Sequence, residues 1–385
     1  MEALLLLIAL AAVFGAVGYP ALRRRRLRKE GAQGLAQAVD PTAGYGFVPP
    51  DELDVRLPGP DRELVEALEE TQRTQDWQPV ARLLAFTGDE YELRWQRVQS
   101  LAGAAAMELA RARKDGHQEP SEAVDTVSFS KEPRPADARW LREWRARQPR
   151  DHGGAQVYAQ FLVFQALADT SEDRRIFLEE ARNVARDAAS LASEDPTPYL
   201  TELVVARHLR YSEAEFDAVW STVRRLAPHH MGAHLAALAY WTALDSGAKE
   251  RTDAFAQAAA AQAPEGTLLP ALPLFAVYDH LPEVNVVRGL YQSETVRNAI
   301  EAAEYAVDQV EDDHPVRPHV LHLLVWFLVR AERYEEAMEA LAAVDGHVGA
   351  VPWVDEGDPA AAYTAYRALA VAGWEAASGP HARRT

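Results

Sequence analysis

The chain has 385 residues, of which 48% are hydrophobic and 25% are charged, a balance typical of folded proteins. It contains no cysteine, which excludes disulfides, thiolate nucleophiles and cysteine-ligated metal or cluster sites. The net charge of −18 repels phosphate backbones, so we expect no nucleic-acid partner.

The amino-terminal segment is apolar. Ala3 to Leu22 form a run of twenty residues without a charge. A helix rises by about 1.5 Å per residue, so this run is long enough to cross a hydrocarbon core of roughly 30 Å. Residues 1–22 are therefore predicted to be a transmembrane anchor.

A basic run at residues 23–29 follows the apolar segment, whereas Glu2 precedes it. The positive-inside rule places such a run in the cytoplasm, where it also meets anionic headgroups. This predicts a single-pass protein of the cell membrane whose bulk is cytoplasmic. A cleaved signal peptide, with the AVG of residues 16–18 as its cleavage site, is the alternative and would make the body an exported helical domain. Signal peptides carry their positive charge before the apolar run, which favours the anchor.

The rest of the chain divides by composition. Residues 23–60 combine the basic stretch with a linker, because glycine and proline fill ten of the thirty positions in 31–60. Residues 61–377 are predicted to be a helical-repeat domain, and residues 378–385 a disordered tail.

The helical pattern is clearest between Ser212 and Leu226. Ser212 and Glu215 have the spacing of a capping box, in which each side chain satisfies a free N–H at the start of the helix. Apolar residues then recur every three or four positions from Phe216 onward, and Pro228 ends the segment. The pattern predicts an amphipathic helix.

The same spacing continues along the body. It predicts helices over 177–191 and 296–310, and a last helix capped by Asp358 with Pro359 in its first turn. Residues 114–135 are predicted to be a loop. Prolines interrupt residues 264–296, so the sequence does not define the helix boundaries of that segment. The predicted fold class is all-α: an N-terminal transmembrane helix followed by an α-solenoid of helix pairs.

The prolines also indicate a repeat. Pro196, Pro228 and Pro264 are 32 and 36 residues apart, and each interval holds two helical segments, as in stacked helix-pair arrays. Residues 321–344 resemble a tetratricopeptide unit, in which AERYEEA forms the turn into the second helix and Ala337 occupies the small-residue position. Val325 departs from that family's pattern. The chain also resembles irregular tetratricopeptide-like bacterial proteins, which implies a fold and no activity.

Two histidines four residues apart, His230 and His234, suggest a metal site. H-E-x-x-H zinc enzymes use this spacing with a glutamate as general base, but here Met231, Gly232 and Ala233 intervene. A third ligand is not specified. We expect His230 to lie in a solvated turn and His234 to be half-buried beside an apolar stripe.

Other chemical patterns are weaker. Asp279 and His280 form a carboxylate–imidazole pair without a serine nucleophile motif, and His319 and His322 read as helix surface. No phosphate-binding glycine loop is present. The sequence therefore predicts no catalytic, cofactor-binding or metal-ligating residue and no cofactor.

These observations favour a membrane-anchored, cytoplasmic helical-repeat module that binds another, unidentified protein. Residues 1–30 carry six cations and two acids, which leaves −22 on the remainder and favours a basic or apolar partner segment. The alternative is a helical-scaffold enzyme or metal-dependent hydrolase that uses His230 and His234.

Overall fold

The structure is a computed structural model that describes residues 42–116, 137–169, 173–244, 247–282 and 289–378. Within these ranges the chain forms fifteen α-helices and five short 3-10 helices, with one isolated β-bridge and no strand. The prediction of an all-helical body is confirmed for this part of the chain.

The first three helices are α1 Arg62–Thr74, α2 Gln78–Thr87 and α3 Tyr91–Gly116. The next seven are α4 Arg139–Arg147, α5 His152–Ala168, α6 Arg174–Leu191, α7 Thr197–Leu209, α8 Glu213–Leu226, α9 Met231–Thr242 and α10 Ala248–Ala261. The last five are α11 Leu272–Asp279, α12 Glu294–Asp308, α13 Arg317–Arg330, α14 Tyr334–Val344 and α15 Pro359–Ser378. The 3-10 helices are Ala43–Tyr45, Pro50–Glu52, Leu269–Ala271, Leu290–Gln292 and Trp353–Asp355.

The predicted fold class, a transmembrane helix joined to a solenoid, is wrong and is corrected to an all-helical fold. Among the described ranges, no helix combines the length and the hydropathy needed to cross a membrane. The apolar helix α13 has only 14 residues, which span about 21 Å against a hydrocarbon core of roughly 30 Å. The predicted span at 3–22, the basic run at 23–29 and the tail from residue 379 onward lie outside the described residues.

Helices α5 to α14 form five successive pairs, and α15 packs against the last pair. The first helices of the pairs, α5, α7, α9, α11 and α13, form an inner layer that is buried on nearly every side. The second helices, α6, α8, α10, α12 and α14, form an outer layer with one exposed face each. Inner helices begin 34 to 45 residues apart, so the spacing is irregular.

The outer helix α8 follows its sequence pattern closely. Ser212 caps its N-terminus, the reciprocal bond from Glu215 completes the capping box, and Phe216 and Trp220 lie on its buried face. The Asp358 side chain likewise accepts a hydrogen bond from the Ala361 N–H at the start of α15. These local predictions are confirmed because their partners lie within one helical turn.

Residues 42–60, which we call the strap, were predicted to be part of a flexible linker, and this prediction is wrong. The strap contains two of the short 3-10 helices and pairs with residues far along the chain: Asp54 N–H donates to the Gly346 carbonyl and Val348 N–H to the Asp54 carbonyl, both at 2.8 Å. Leu53 is buried among residues of the inner layer. Main-chain pairing and apolar burial therefore order a glycine- and proline-rich segment.

The strap and α1 to α3 cover the inner layer. Helix α3 packs against α5, α7 and α9, whereas the strap crosses α13 and α15. A buried ion pair joins the start of α1 to α3, because the Arg97 guanidinium donates to both carboxylate oxygens of Asp61 at 2.9 and 3.0 Å. The inner helices are thus buried because the chain's own residues 42–116 lie against them.

Candidate functional site

His230, the first histidine of the candidate metal pair, caps helix α9. Its Nδ1 accepts a hydrogen bond from the Ala233 N–H at 3.2 Å, and its Nε2 lies 3.2 Å from the Tyr91 carbonyl oxygen. Because a carbonyl oxygen only accepts, Nε2 carries the proton and both ring nitrogens are in use. The prediction of a solvated turn is wrong, since His230 is 4% exposed.

Glu92 from helix α3 lies beside this cap. Its carboxylate accepts a hydrogen bond from the Met231 N–H, lies 3.7 Å from Nδ1 of His230 and lies 3.3 Å from Nε2 of His314. Nδ1 of His314 accepts from the Val316 N–H, so Nε2 is the protonated nitrogen, and it lies near the Glu92 carboxylate without a hydrogen bond to it. Burial raises the pKa of Glu92 to about 7 and lowers the pKa of His314.

The described residues contain no group of three or more histidine or acidic side chains arranged to hold a metal ion. The lone pair that a metal would need on His230 is committed to the N-terminus of α9. Burial also lowers the pKa of His230 to about 4, which keeps the ring neutral and in this capping role. The geometry therefore does not support the hydrolase that uses His230 and His234.

His234 has a different environment. Its Nδ1 donates to the His230 carbonyl at 3.0 Å, which leaves the lone pair on Nε2. It is 5% exposed and lies at the wall of an open cleft of about 400 Å³ between α8, α9 and α10. Trp220 and Phe255 pack around the ring, with centroid distances of 5.0 and 6.0 Å.

The other candidate histidines are structural. His322, predicted to lie at the surface, is fully buried: its Nε2 donates to the Pro58 carbonyl at 2.9 Å and its Nδ1 accepts from Trp353 Nε1 at 3.0 Å. His319 is also buried. Asp279 accepts a hydrogen bond from the Thr242 hydroxyl at 3.1 Å. The surface prediction fails because the strap covers this helix.

Aromatic residues of several helices pack within the fold. Tyr240 stacks on Phe216 at 4.0 Å, and Tyr363 and Tyr366 contact the ring of Trp353 at 5.6 and 5.2 Å. These rings join neighbouring helices, as aromatic side chains commonly do in helical cores.

Two features of the site were missed by sequence reasoning. Glu92 meets Met231 across 139 residues, and no local pattern connects the two positions. The cleft combines Trp220 and Arg224 of α8 with Phe255 of α10, which come together only after three helices pack. The only sequence signal for the cleft was the apolar spacing of α8, which predicts that Trp220 lies on a buried face.

No family model matches the chain, and no curated protein or solved structure is significantly similar to it.

Proposed function

We propose that this protein is a helical scaffold that binds another protein, and that the partner contributes a basic segment. The proposal rests on the outer layer, because the inner layer is already covered by residues 42–116. Outer helices retain an exposed face from which side chains can reach a partner.

The observation that carries the proposal is the charge of the surface formed by residues 294–344, all of which the structure describes. We call it the acidic surface. It contains one exposed arginine, Arg297, and nine exposed acidic residues: Glu294, Glu301, Asp308, Glu311, Asp312, Asp313, Glu332, Glu335 and Glu339. The half-exposed Tyr305 lies in the same stretch and offers an aromatic contact. A basic segment with an apolar residue complements this surface.

We further propose that the pairs are tetratricopeptide-like. The residues of the AERYEEA stretch lie at the junction of α13 and α14, and Ala337 is fully buried there, as a helix-packing position requires. Val325 is also fully buried, although the family favours a small residue at that place.

The proposed contact can be tested by replacing Tyr305 with a photo-crosslinking phenylalanine in the full-length protein. Irradiation in the native cells should produce a discrete adduct with one partner. Reversing three charges with Glu301→Lys, Glu335→Lys and Glu339→Lys should remove that adduct, and capture of the same partner should weaken as salt rises, because screening reduces attraction between exposed charges.

A matched control changes the same number of charges elsewhere on the outer layer, with Glu180→Lys, Asp187→Lys and Asp217→Lys, all at exposed positions of α6 and α8. This triple variant should keep the adduct. Absence of an adduct from Tyr305, or an adduct that both triple variants reduce equally, would contradict the proposal.

A further inference from the structure

The cleft beside His234 has the size and lining of a ligand site. Its volume of about 400 Å³ falls within the usual range of small-molecule pockets. Helices α8, α9 and α10 line it, together with the turn between α8 and α9 and the 3-10 helix that begins at Leu269. The lining side chains used below are Trp220, Arg224, His229, His234, Phe255 and Leu269. It is separate from the acidic surface of residues 294–344.

One wall of the cleft provides a hydrogen-bond acceptor of fixed orientation. His234 is almost fully buried, and its Nδ1–H is held by the His230 carbonyl, so Nε2 accepts. Burial, together with the smaller effects of His229 and Arg224, lowers the pKa of His234 to about 4. At neutral pH the ring is therefore uncharged and calls for an N–H or O–H donor on the ligand.

The cleft also provides a positive charge. Arg224 is exposed and lies at the cleft, and no acidic side chain of the described residues forms an ion pair with it. An unpaired arginine is notable in a protein of net charge −18, and its planar guanidinium suits a carboxylate.

Apart from His229 and Gln262, the remaining lining is apolar. The rings of Trp220 and Phe255 meet edge to face at 5.5 Å, and Ala258, Ala259 and Leu269 extend the apolar area. Such a surface favours a flat hydrocarbon or aromatic body over a polar one.

We propose that this cleft binds a small organic acid that has an apolar or aromatic body, a carboxylate that pairs with Arg224, and an N–H or O–H group that donates to Nε2 of His234. The three elements of the ligand correspond to three independent features of the cleft. A metal ion is not required, and no covalent step is involved.

Three related compounds test each element against the full-length protein by calorimetry. Indole-3-acetate has the ring, the carboxylate and the N–H, and it should bind. Indole-3-acetamide lacks the charge, and benzothiophene-3-acetate has sulfur in place of the N–H. Each should bind about tenfold more weakly, because the acetamide loses the ionic part of its contact with Arg224 and the benzothiophene loses the N–H that donates to His234.

The protein side is tested with Arg224→Gln, which should weaken indole-3-acetate binding about tenfold and abolish the preference for acetate over acetamide. Arg225→Gln is the matched control, because Arg225 is exposed on the same turn of α8 and does not line the cleft. Arg225→Gln should leave both the affinity for indole-3-acetate and the preference for acetate over acetamide unchanged.

Equal binding of the three compounds, no binding of any of them, or equal effects of the two arginine variants would overturn the proposal. Tighter binding of the capped peptide acetyl-Asp-Phe-Asp-Phe-amide than of indole-3-acetate would also overturn it, since the cleft would then be a docking site for an acidic peptide. Because the compounds alter no residue, the comparison of the three compounds does not depend on the folding of any variant.

Discussion

The carboxylate of Glu92 accepts a hydrogen bond from the backbone N–H of Met231, 139 residues further along the chain. The contact joins the first turn of α3 to the first turn of α9, where a negative charge is favoured by the unpaired N–H groups and the helix dipole. Desolvation by the surrounding helices opposes this charge and raises the pKa of Glu92 to about 7. Glu92 thus connects α3, which covers the inner layer, to the inner helix α9.

Glu92→Gln should remove one loss of stability that accompanies rising pH. The folded protein holds the Glu92 proton more tightly than the unfolded chain, whose ordinary pKa is 4.5, so this group's contribution to the free energy of unfolding falls as pH rises from 4.5 to about 7. The full loss is about 3 kcal/mol. Glutamine keeps an acceptor for Met231 and has no proton to lose. In urea unfolding, the variant should gain stability over the wild type between pH 5 and pH 8.

The exposed Glu301→Gln variant is the control for this experiment and should follow the wild-type pH dependence. A Glu92→Gln protein whose stability relative to wild type stays constant over the same range would show that Glu92 ionises normally.

Acidification should destabilise the protein through its buried histidines. Burial lowers the pKa of His230, His234 and His322 to about 4, below the ordinary value of 6.5. Since the unfolded chain binds these protons first, the free energy of unfolding should fall as pH decreases from about 6.5 to 4, by up to about 3 kcal/mol for each group. Glu92 acts in the opposite direction over part of this range, but it is one group against three.

Imidazole titration followed by NMR checks this prediction residue by residue. The rings of His230, His234 and His322 should remain neutral down to about pH 5. Ordinary titration near pH 6.5 at all three positions would be inconsistent with their burial in the native fold.

His322→Phe should be strongly destabilising at neutral pH. Both ring nitrogens of His322 are used, and phenylalanine would leave the Pro58 carbonyl and the Trp353 N–H buried without these partners. We expect a loss of about 3 kcal/mol, as two buried polar groups become unsatisfied. His229→Phe changes the same residue types at an exposed position, and its effect should stay within about 0.5 kcal/mol. Comparable losses in the two variants would contradict the assignment of His322.

Gly349→Ala should dislodge the strap. A Cβ at Gly349 would approach the backbone nitrogen and carbonyl carbon of Leu57 to 2.6 Å, and backbone atoms have little room to move. We expect a loss of about 1–3 kcal/mol, together with faster amide exchange at Asp54 and Val348. Gly357→Ala meets no atom within 4 Å and serves as the control. Unchanged exchange at Asp54 in Gly349→Ala would mean that the strap does not lie against residue 349.

The sequence by itself determined the helical body of this protein and many local details. Ser212 and Glu215 predicted the start of α8, Asp358 predicted the start of α15, and apolar spacing predicted which face of α8 is buried. These predictions succeed because a capping bond or an apolar stripe joins residues within one to four turns, and the chain brings them together as soon as the helix forms.

Only the tertiary structure decided what covers the inner helices and where the polar sites lie. The strap reads as a flexible linker until Asp54 pairs with Gly346 and Val348, and His230 and His322 read as surface residues until Tyr91 and Pro58 approach them. These contacts span 139 residues or more. Periodicity in a single helix shows which face is apolar, but it does not show which distant segment packs there, because that choice depends on the combined packing of all the helices.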